Sequence, residues 1–362
     1  MNIIYGICSD GLGHATRDMP IIDYLIKNGH KVYIVTGKET KDFLKKKYKN
    51  ITIINSLSIA YGANEVKQLK TVIDFLASFK TNPKNHKIVK NLIKKIKPEL
   101  IISDFETTTI TLAKVHEIPC IAIDNHAAIF RTDVEFKIKD LTNLFIAKMV
   151  GKLRCFRADW YLALCFYRPK IRKARTEIFD PILRDEFYEV KSKNNNYILV
   201  YNRFQDKNNK IISELKKIKN ETFHVYGLNI EKTEENIVYK KTGNNTKELA
   251  NCKAVISNGG HSLMSEAIFL KKPIFSLPVK NQFEQHTNAY YLEKLGFGES
   301  HTSITSAKIK RFIKKLPKYK EKLNKHNFEN KKLFFNRLDK LMQELVYKKK
   351  EKKQIKKIKL KK

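Results

Sequence analysis

Short Ile- and Val-rich runs alternate with longer polar, helix-compatible stretches through the first half of the chain, the pattern of a parallel sheet wrapped by helices. Strands are expected at 3–8, 31–36, 51–54, 100–103 and 120–123. A helix is expected after Gly13, running through Pro20-Ile21-Ile22 to Asn28, with Gly29 as its stop. A basic, less regular section from Phe130 to Lys173 contains the apolar run Trp160-Tyr161-Leu162-Ala163-Leu164, a further strand. The polar stretch Lys191-Ser192-Lys193-Asn194-Asn195-Asn196 then reads as a domain boundary.

After it the same rhythm restarts, with strands expected at 197–201, 222–226, 237–239, 254–257 and 273–277 and helices between them. Two such modules imply an α/β protein of two Rossmann-like domains facing across a cleft, with ligands between the carboxyl ends of the two sheets. The expected division is a first domain over 1–190, a second over 191–310, a helical segment over 311–347 and a basic tail over 348–362. Leu333-Phe334-Phe335, Leu338, Leu341 and Leu345 mark an amphipathic helix that packs on the folded body.

Composition narrows the class. With 362 residues, 42% of them hydrophobic, the chain is long enough for two cores, and its mean hydropathy of −0.45 fits a globular protein. No apolar run approaches the roughly 18 residues of a membrane span. The start, Met1-Asn2-Ile3-Ile4-Tyr5-Gly6, reads as a strand and not as a signal peptide, so a cytoplasmic location is expected. Five cysteines, at 8, 120, 155, 165 and 252, show no C-x-x-C spacing, which argues against a zinc site or a disulfide framework.

The net charge of +35, from 72 basic against 37 acidic residues, attracts polyanions or anionic membrane surfaces. An equal reading is compositional bias, since Lys, Asn and Ile are abundant throughout. The charge peaks over 348–362, where ten lysines meet one glutamate and only Ile355, Ile358 and Leu360 are apolar. That tail is expected to be disordered or loosely helical in water. It is either a solvated end or a peripheral anchor to anionic lipid.

Two loops carry the candidate chemistry. Ser9-Asp10-Gly11-Leu12-Gly13-His14-Ala15-Thr16-Arg17 follows a strand and opens a helix, so Gly11 and Gly13 permit a tight turn with backbone N–H groups facing the cleft. It is neither a dinucleotide fingerprint nor a Walker A loop. The plainer reading is a turn with a capping histidine. In the second, Ser257-Asn258-Gly259-Gly260-His261-Ser262 likewise turns on glycines into a helix, an arrangement that receives a diphosphate on unpaired N–H groups. Glu266, further along that helix, is placed to accept from ribose hydroxyls or is simply a surface glutamate.

The segment continues through Pro273, Pro278, Glu284-Gln285, Asn288-Ala289 and Gly296-Phe297-Gly298. In this order the motifs resemble the donor-binding signature of the UDP-glucuronosyltransferases and of glycosyltransferase family 28, the peptidoglycan lipid-intermediate GlcNAc transferases. Gly11-Leu12-Gly13-His14-Ala15-Thr16-Arg17 is similar to the N-terminal loop of an archaeal and bacterial branch of such enzymes.

The resemblance implies a metal-independent GT-B glycosyltransferase moving a sugar from a UDP-sugar to an acceptor hydroxyl, lipid-linked in the cell-envelope branch. It places Gly259, Gly260, His261 and Ser262 at the diphosphate, Glu266 at the ribose, and Glu284 with Gln285 at the donor sugar. Asn288 and Ala289 are assigned to helix packing. His14 becomes the candidate general base, since a histidine can take the acceptor proton without a metal. Asp10 or Asp104 is expected to orient or replace it; Asp124, Asn125 and His126, following a strand, either contact the acceptor from the cleft or form a plain turn. Arg203 stands where the family has a small residue and is expected to add a phosphate contact.

No cofactor or metal is expected, because no Asp-x-Asp pair lies near the donor loop. Two alternatives stay open: a non-hydrolysing UDP-sugar epimerase of the same architecture, and a basic nucleic-acid-binding protein. The second explains the charge but leaves the Gly-Gly and Glu-Gln signatures without a role, so no specific nucleic acid is expected as partner.

Overall fold

The computed structural model describes residues 1–55, 83–155, 158–201, 210–241 and 246–359. The first half builds β1 (Asn2–Ile7), β2 (Lys31–Thr36), β3 (Ile51–Ile53), β4 (Leu100–Asp104), β5 (Cys120–Asp124), β6 (Thr132–Asp133), β7 (Trp160–Leu164), β8 (Lys170–Ile171) and β9 (Thr176–Phe179). Seven of them form one parallel sheet in the order β3-β2-β1-β4-β5-β7-β9, while β6 and β8 pair separately. β1 lies beside β2 and β4, and its Ile3, Ile4, Tyr5 and Ile7 are fully buried, as expected of strands covered on both faces.

The second half supplies β10 (Tyr197–Tyr201), β11 (Thr222–Tyr226), β12 (Lys232–Glu234), β13 (Ile237–Tyr239), β14 (Ala254–Ser257), β15 (Ile274–Ser276) and β16 (Gly298–Ser300). Their order is β12-β13-β11-β10-β14-β15-β16, parallel except at β12. One expected element is corrected here. No helix separates β11 from β13; the connection turns back as the β12–β13 hairpin through Glu235 at φ 54°. The intervening residues lack an apolar stripe that a helix would bury.

Helices Ser306–Lys314 and Leu316–Lys325 cover the second sheet, with Ile309, Phe312, Leu316 and Tyr319 packed on Ile198, Val200 and Phe275. The next helix, Lys331–Lys359, leaves that sheet and returns to the first. There Phe334, Phe335, Leu338, Leu341 and Met342 join Ile3, Tyr5, Ile21, Ile22 and Leu25 in one core. Tyr24 stacks on Phe335 at 4.0 Å and donates to Asp339 at 2.6 Å. Residues 311–347, expected as one segment, are thus shared between the two halves, and helix continues through Lys359 into the basic tail. Among the described residues no helix is long and apolar enough to cross a membrane.

Candidate functional site

The carboxyl ends of β1, β4 and β5 deliver the first group of side chains. Gly11, at φ 80°, turns the chain from β1 into helix Leu12–Lys27, a conformation that favours glycine. His14 lies in the first turn of that helix, and its Nδ1 is 2.9 Å from Oδ2 of Asp104, the last residue of β4. Arg17, one turn on, donates through Nη2 to the same oxygen at 2.6 Å and approaches His14 Nδ1 at 2.8 Å.

Burial alone would raise the Asp104 carboxyl, but the Arg17 guanidinium and His14 outweigh it and hold the group well below the usual carboxylate range. An ionised Asp104 favours the imidazole tautomer with its proton on Nδ1, which leaves the Nε2 lone pair for an incoming proton.

Phe105, at φ 55°, follows directly. A left-handed non-glycine residue costs about 1–2 kcal/mol and persists where its surroundings fix it. Here Glu106 caps the next helix, accepting from the Thr108 and Thr109 N–H groups at 2.8 and 2.7 Å. The Phe105 ring stacks on His126 at 4.0 Å, and His126 in turn lies parallel to His14 at 5.7 Å.

Side chains then bridge the cleft. Arg17 Nη1 donates to Asn125 Oδ1 at 2.8 Å, Asn125 Nδ2 donates to Glu284 Oε1 at 2.8 Å, and His126 Nε2 lies 3.1 Å from Glu284 Oε2. Burial would raise the Glu284 carboxyl, but His126 reverses this and holds it well below its ordinary value. Burial would likewise lower His126, and Glu284 raises it instead. Close by, His286 pairs with Asp140 at 2.9 Å, and Ser262 Oγ donates to the Gly13 carbonyl at 3.1 Å, so the two glycine loops touch.

On the second sheet, Gly259 holds φ 87°, and a β-carbon there would stand 2.9 Å from Ser276 Oγ and 3.3 Å from the Gln285 carbonyl. Gly260 caps helix His261–Phe269 without a side chain, and the space beside it is open. The helix start therefore offers bare N–H groups and the positive end of its dipole. His261 is buried with neither ring nitrogen partnered, and burial pushes it down to about 3, so it is neutral. Burial pushes Glu266 up to about 7 although Arg184 reaches it at 3.4 Å. Thr16, Arg17, Leu183, Arg184, His261 and Glu266 line a crevice between the two sheets.

Residues 1–317 match the family model described as Glycosyl transferase family 1. The chain belongs to that family. Curated relatives include an uncharacterized glycosyltransferase of Methanosarcina mazei, 23% identical over 337 residues, covering 85% of this chain and 88% of the relative. Another, from Methanosarcina acetivorans, is 22% identical over 358 residues, with shares of 85% and 88%.

Among solved structures, the glycotransferase of kitacinnamycin superposes with a TM-score of 0.66 at 14% identity, covering 89% of this chain and 93% of that one. The spinosyn forosaminyltransferase SpnP gives 0.67 at 11% identity, with 94% and 99% covered. VinC, solved with dTDP, gives 0.60 at 15%, with 90% and 94% covered. These likenesses establish the GT-B fold, two Rossmann-like domains facing across a cleft, and the chain is a glycosyltransferase.

In this family 1 glycosyltransferase the residues singled out in the sequence come together at one cleft, with departures. Asp104, of the two carboxylates weighed, is the one on His14 Nδ1. Asp124 accepts from the Ala127 N–H at 2.6 Å in the turn before helix Ala127–Arg131, and burial pushes its carboxyl up to about 6. Gln285 does not join Glu284 in the cleft: its Oε1 accepts from the Val279 N–H at 2.9 Å, holding the loop after β15. Asn288 packs as expected, donating to the Gly259 carbonyl at 3.1 Å. Arg203 lies outside the described residues.

Arg17, Arg184 and Phe105 carry contacts that were not anticipated. Arg17 was legible in principle, since three positions after His14 puts it on the same helix face. Arg184 precedes the polar stretch 191–196, in a segment that carries no motif.

Proposed function

We propose that the enzyme transfers the sugar of a UDP-sugar to an acceptor hydroxyl by a single inverting displacement, without a metal. His14 Nε2 takes the acceptor proton as the acceptor oxygen bonds to the anomeric carbon and the bond to the diphosphate breaks on the opposite side. The charge developing on the leaving diphosphate is received by the N–H groups of Gly260, His261 and Ser262, in place of a cation. Glu266 holds the ribose. Glu284 exchanges its bonds to Asn125 and His126 for hydroxyls of the donor sugar.

The observation that carries this reading is the 2.9 Å contact between His14 and the buried Asp104, on the cleft wall that meets the Gly259-Gly260 loop. The uridine assignment rests on the motif resemblance. A thymidine donor is the second reading, favoured by VinC, solved with dTDP. A thermal-shift panel of UDP, dTDP and their sugars decides, because a ligand at 100 times its Kd stabilises by about 2.7 kcal/mol. Stabilisation by neither nucleotide overturns the donor assignment. Activity lost in EDTA and restored by manganese overturns the metal-free route.

The acceptor reading is a lipid-linked molecule at the inner face of a membrane. The +35 charge supports it, as do Ile138 at 90% exposure and Phe145 at 70%, with Leu141 between them on the same side. Lys148 follows in that stripe, lowered by burial and by the neighbouring charges of Arg172 and Lys152. Such an apolar and cationic face suits an anionic bilayer. Salt-sensitive sedimentation with phosphatidylglycerol vesicles is expected, reduced by deleting 348–362 and abolished when Ile138→Ser and Phe145→Ser are added. Sedimentation unchanged in both variants overturns the membrane reading.

A further inference from the structure

Behind the His14–Asp104 pair lies a second carboxyl group that the transfer step does not use. Asp18, four positions after His14 in helix Leu12–Lys27, is fully buried, as are Asp104 and Tyr5. Tyr5 donates its phenol proton to Asp18 Oδ1 at 3.2 Å. Arg17 and His14 occupy Asp104 Oδ2. The two remaining oxygens, Asp18 Oδ2 and Asp104 Oδ1, have no donor, although the two carboxyl groups lie within hydrogen-bonding reach of each other.

Two carboxylate oxygens cannot bond without a proton between them. The groups facing this pocket are Tyr5 from β1, His14 and Arg17 from the helix, Asp104 from β4 and, further off, Tyr48 ahead of β3 and Asp124 from β5. Arg17 is the permanent cation in that set, and it is already committed to Asp104. A second buried carboxylate would stand uncompensated, and such a group neutralises by taking up a proton. Burial first, and then the charge of Asp104, raise the Asp18 carboxyl well above its ordinary value against the opposing pull of Arg17.

We propose that Asp18 is a protonated carboxylic acid in the resting enzyme and donates its hydrogen bond to Asp104 Oδ1, acting as a positioning residue for the His14 partner. Asp104 then receives donors on both oxygens. It remains an anion when His14 becomes an imidazolium, so the proton removed from the acceptor stays on His14 and does not pass to the aspartate. The pair titrates as a unit, Asp18 holding the proton that Asp104 lacks. The catalytic consequence rests on His14 being the base; the protonation of Asp18 does not.

Infrared difference spectroscopy tests the proton directly. At neutral pH the wild-type spectrum minus that of Asp18→Asn is expected to show the carbonyl stretch of a buried protonated carboxyl. Kinetics test the role. Asp18→Asn keeps an N–H donor for Asp104 and an acceptor for Tyr5, so turnover is expected within about threefold of wild type. Asp18→Leu removes both and is expected to lower kcat roughly 10- to 100-fold, as loss of an orienting contact does, with donor KM changed less than threefold.

Absence of the carboxylic-acid band overturns the proposal, and so does a loss in Asp18→Asn as large as that in Asp18→Leu. Should Asp18→Leu not fold, the infrared comparison and the Asp18→Asn rate still decide. If His14→Ala retains turnover while the band is present, the base assignment fails and the shared proton stands.

Discussion

Asn125 Nδ2 donates to Glu284 Oε1 at 2.8 Å, and this bond joins the end of β5 to the first turn of helix Phe283–Leu295 across the cleft. Because Asn125 Oδ1 accepts from Arg17 on the other side, the guanidinium that holds Asp104 and the carboxylate facing the donor side are two bonds apart. In the proposed reaction, a donor sugar drawing Glu284 away would free the Asn125 amide, and so would reach the surroundings of His14 through Arg17.

The His126–Glu284 pair sets a pH dependence. His126 is raised above its ordinary value in the folded chain, so its contribution to stability is fully present below the unfolded pKa of roughly 6.5 and disappears as pH rises through the folded value. His126→Gln is expected to lower the Tm relative to wild type at pH 6, with the gap narrowing toward pH 9. A gap that widens with pH contradicts the pairing.

His14→Ala is expected to lower turnover by about 10²- to 10⁴-fold, the worth of a general base, while nucleotide affinity by calorimetry stays unchanged. Retained turnover would move the base to Asp104, Asp124 or His126, each testable in the same assay.

Glu266→Ala is expected to weaken nucleotide binding by about 1–3 kcal/mol, the cost of leaving polar groups unpaired in a closed site. The wild-type carboxyl is pushed up to about 7, so binding through the ionised form is expected to strengthen as pH rises through that value. A flat affinity profile from pH 6 to 8 in both proteins would remove Glu266 from the donor site.

Leu338→Ala is expected to destabilise the chain by about 2–5 kcal/mol, the range for a fully buried leucine, since Leu338 has no exposed surface. Denaturant unfolding measures it. A change under 1 kcal/mol would mean that helix Lys331–Lys359 does not hold the first sheet.

The strands of both sheets were legible because a parallel sheet buried on both faces demands continuous apolar runs, and Ile3-Ile4-Tyr5 or Ile198-Leu199-Val200 serve no other element well. β9, β12 and β16 were not, since Thr176-Glu177-Ile178-Phe179, Lys232-Thr233-Glu234 and Gly298-Glu299-Ser300 mix polar residues into short outer strands where pairing, and not composition, decides.

At the cleft, backbone-driven features could be read. The glycine turns and the histidine beside them follow from local geometry, and both loops lie where expected. What remained hidden depends on distant pairing. The ties of Arg17 to Asn125, of Asn125 to Glu284 and of Arg184 to Glu266 each join residues more than 80 positions apart, and no spacing rule reaches that far.

The first sheet is finished by residues that follow the whole of the second. Phe334, Phe335, Leu338, Leu341 and Met342 roof the face carried by Ile3, Tyr5 and Ile21, so a ribosome that has released both sheets still holds the cover of the earlier one. Until that helix emerges, the opening half keeps an oily groove uncovered, with Tyr5 and Asp18 in the layer beneath it. Because this helix is made after both sheets, the core of the amino-terminal lobe is the later of the two to be completed, and with it the layer that holds Tyr5 and Asp18.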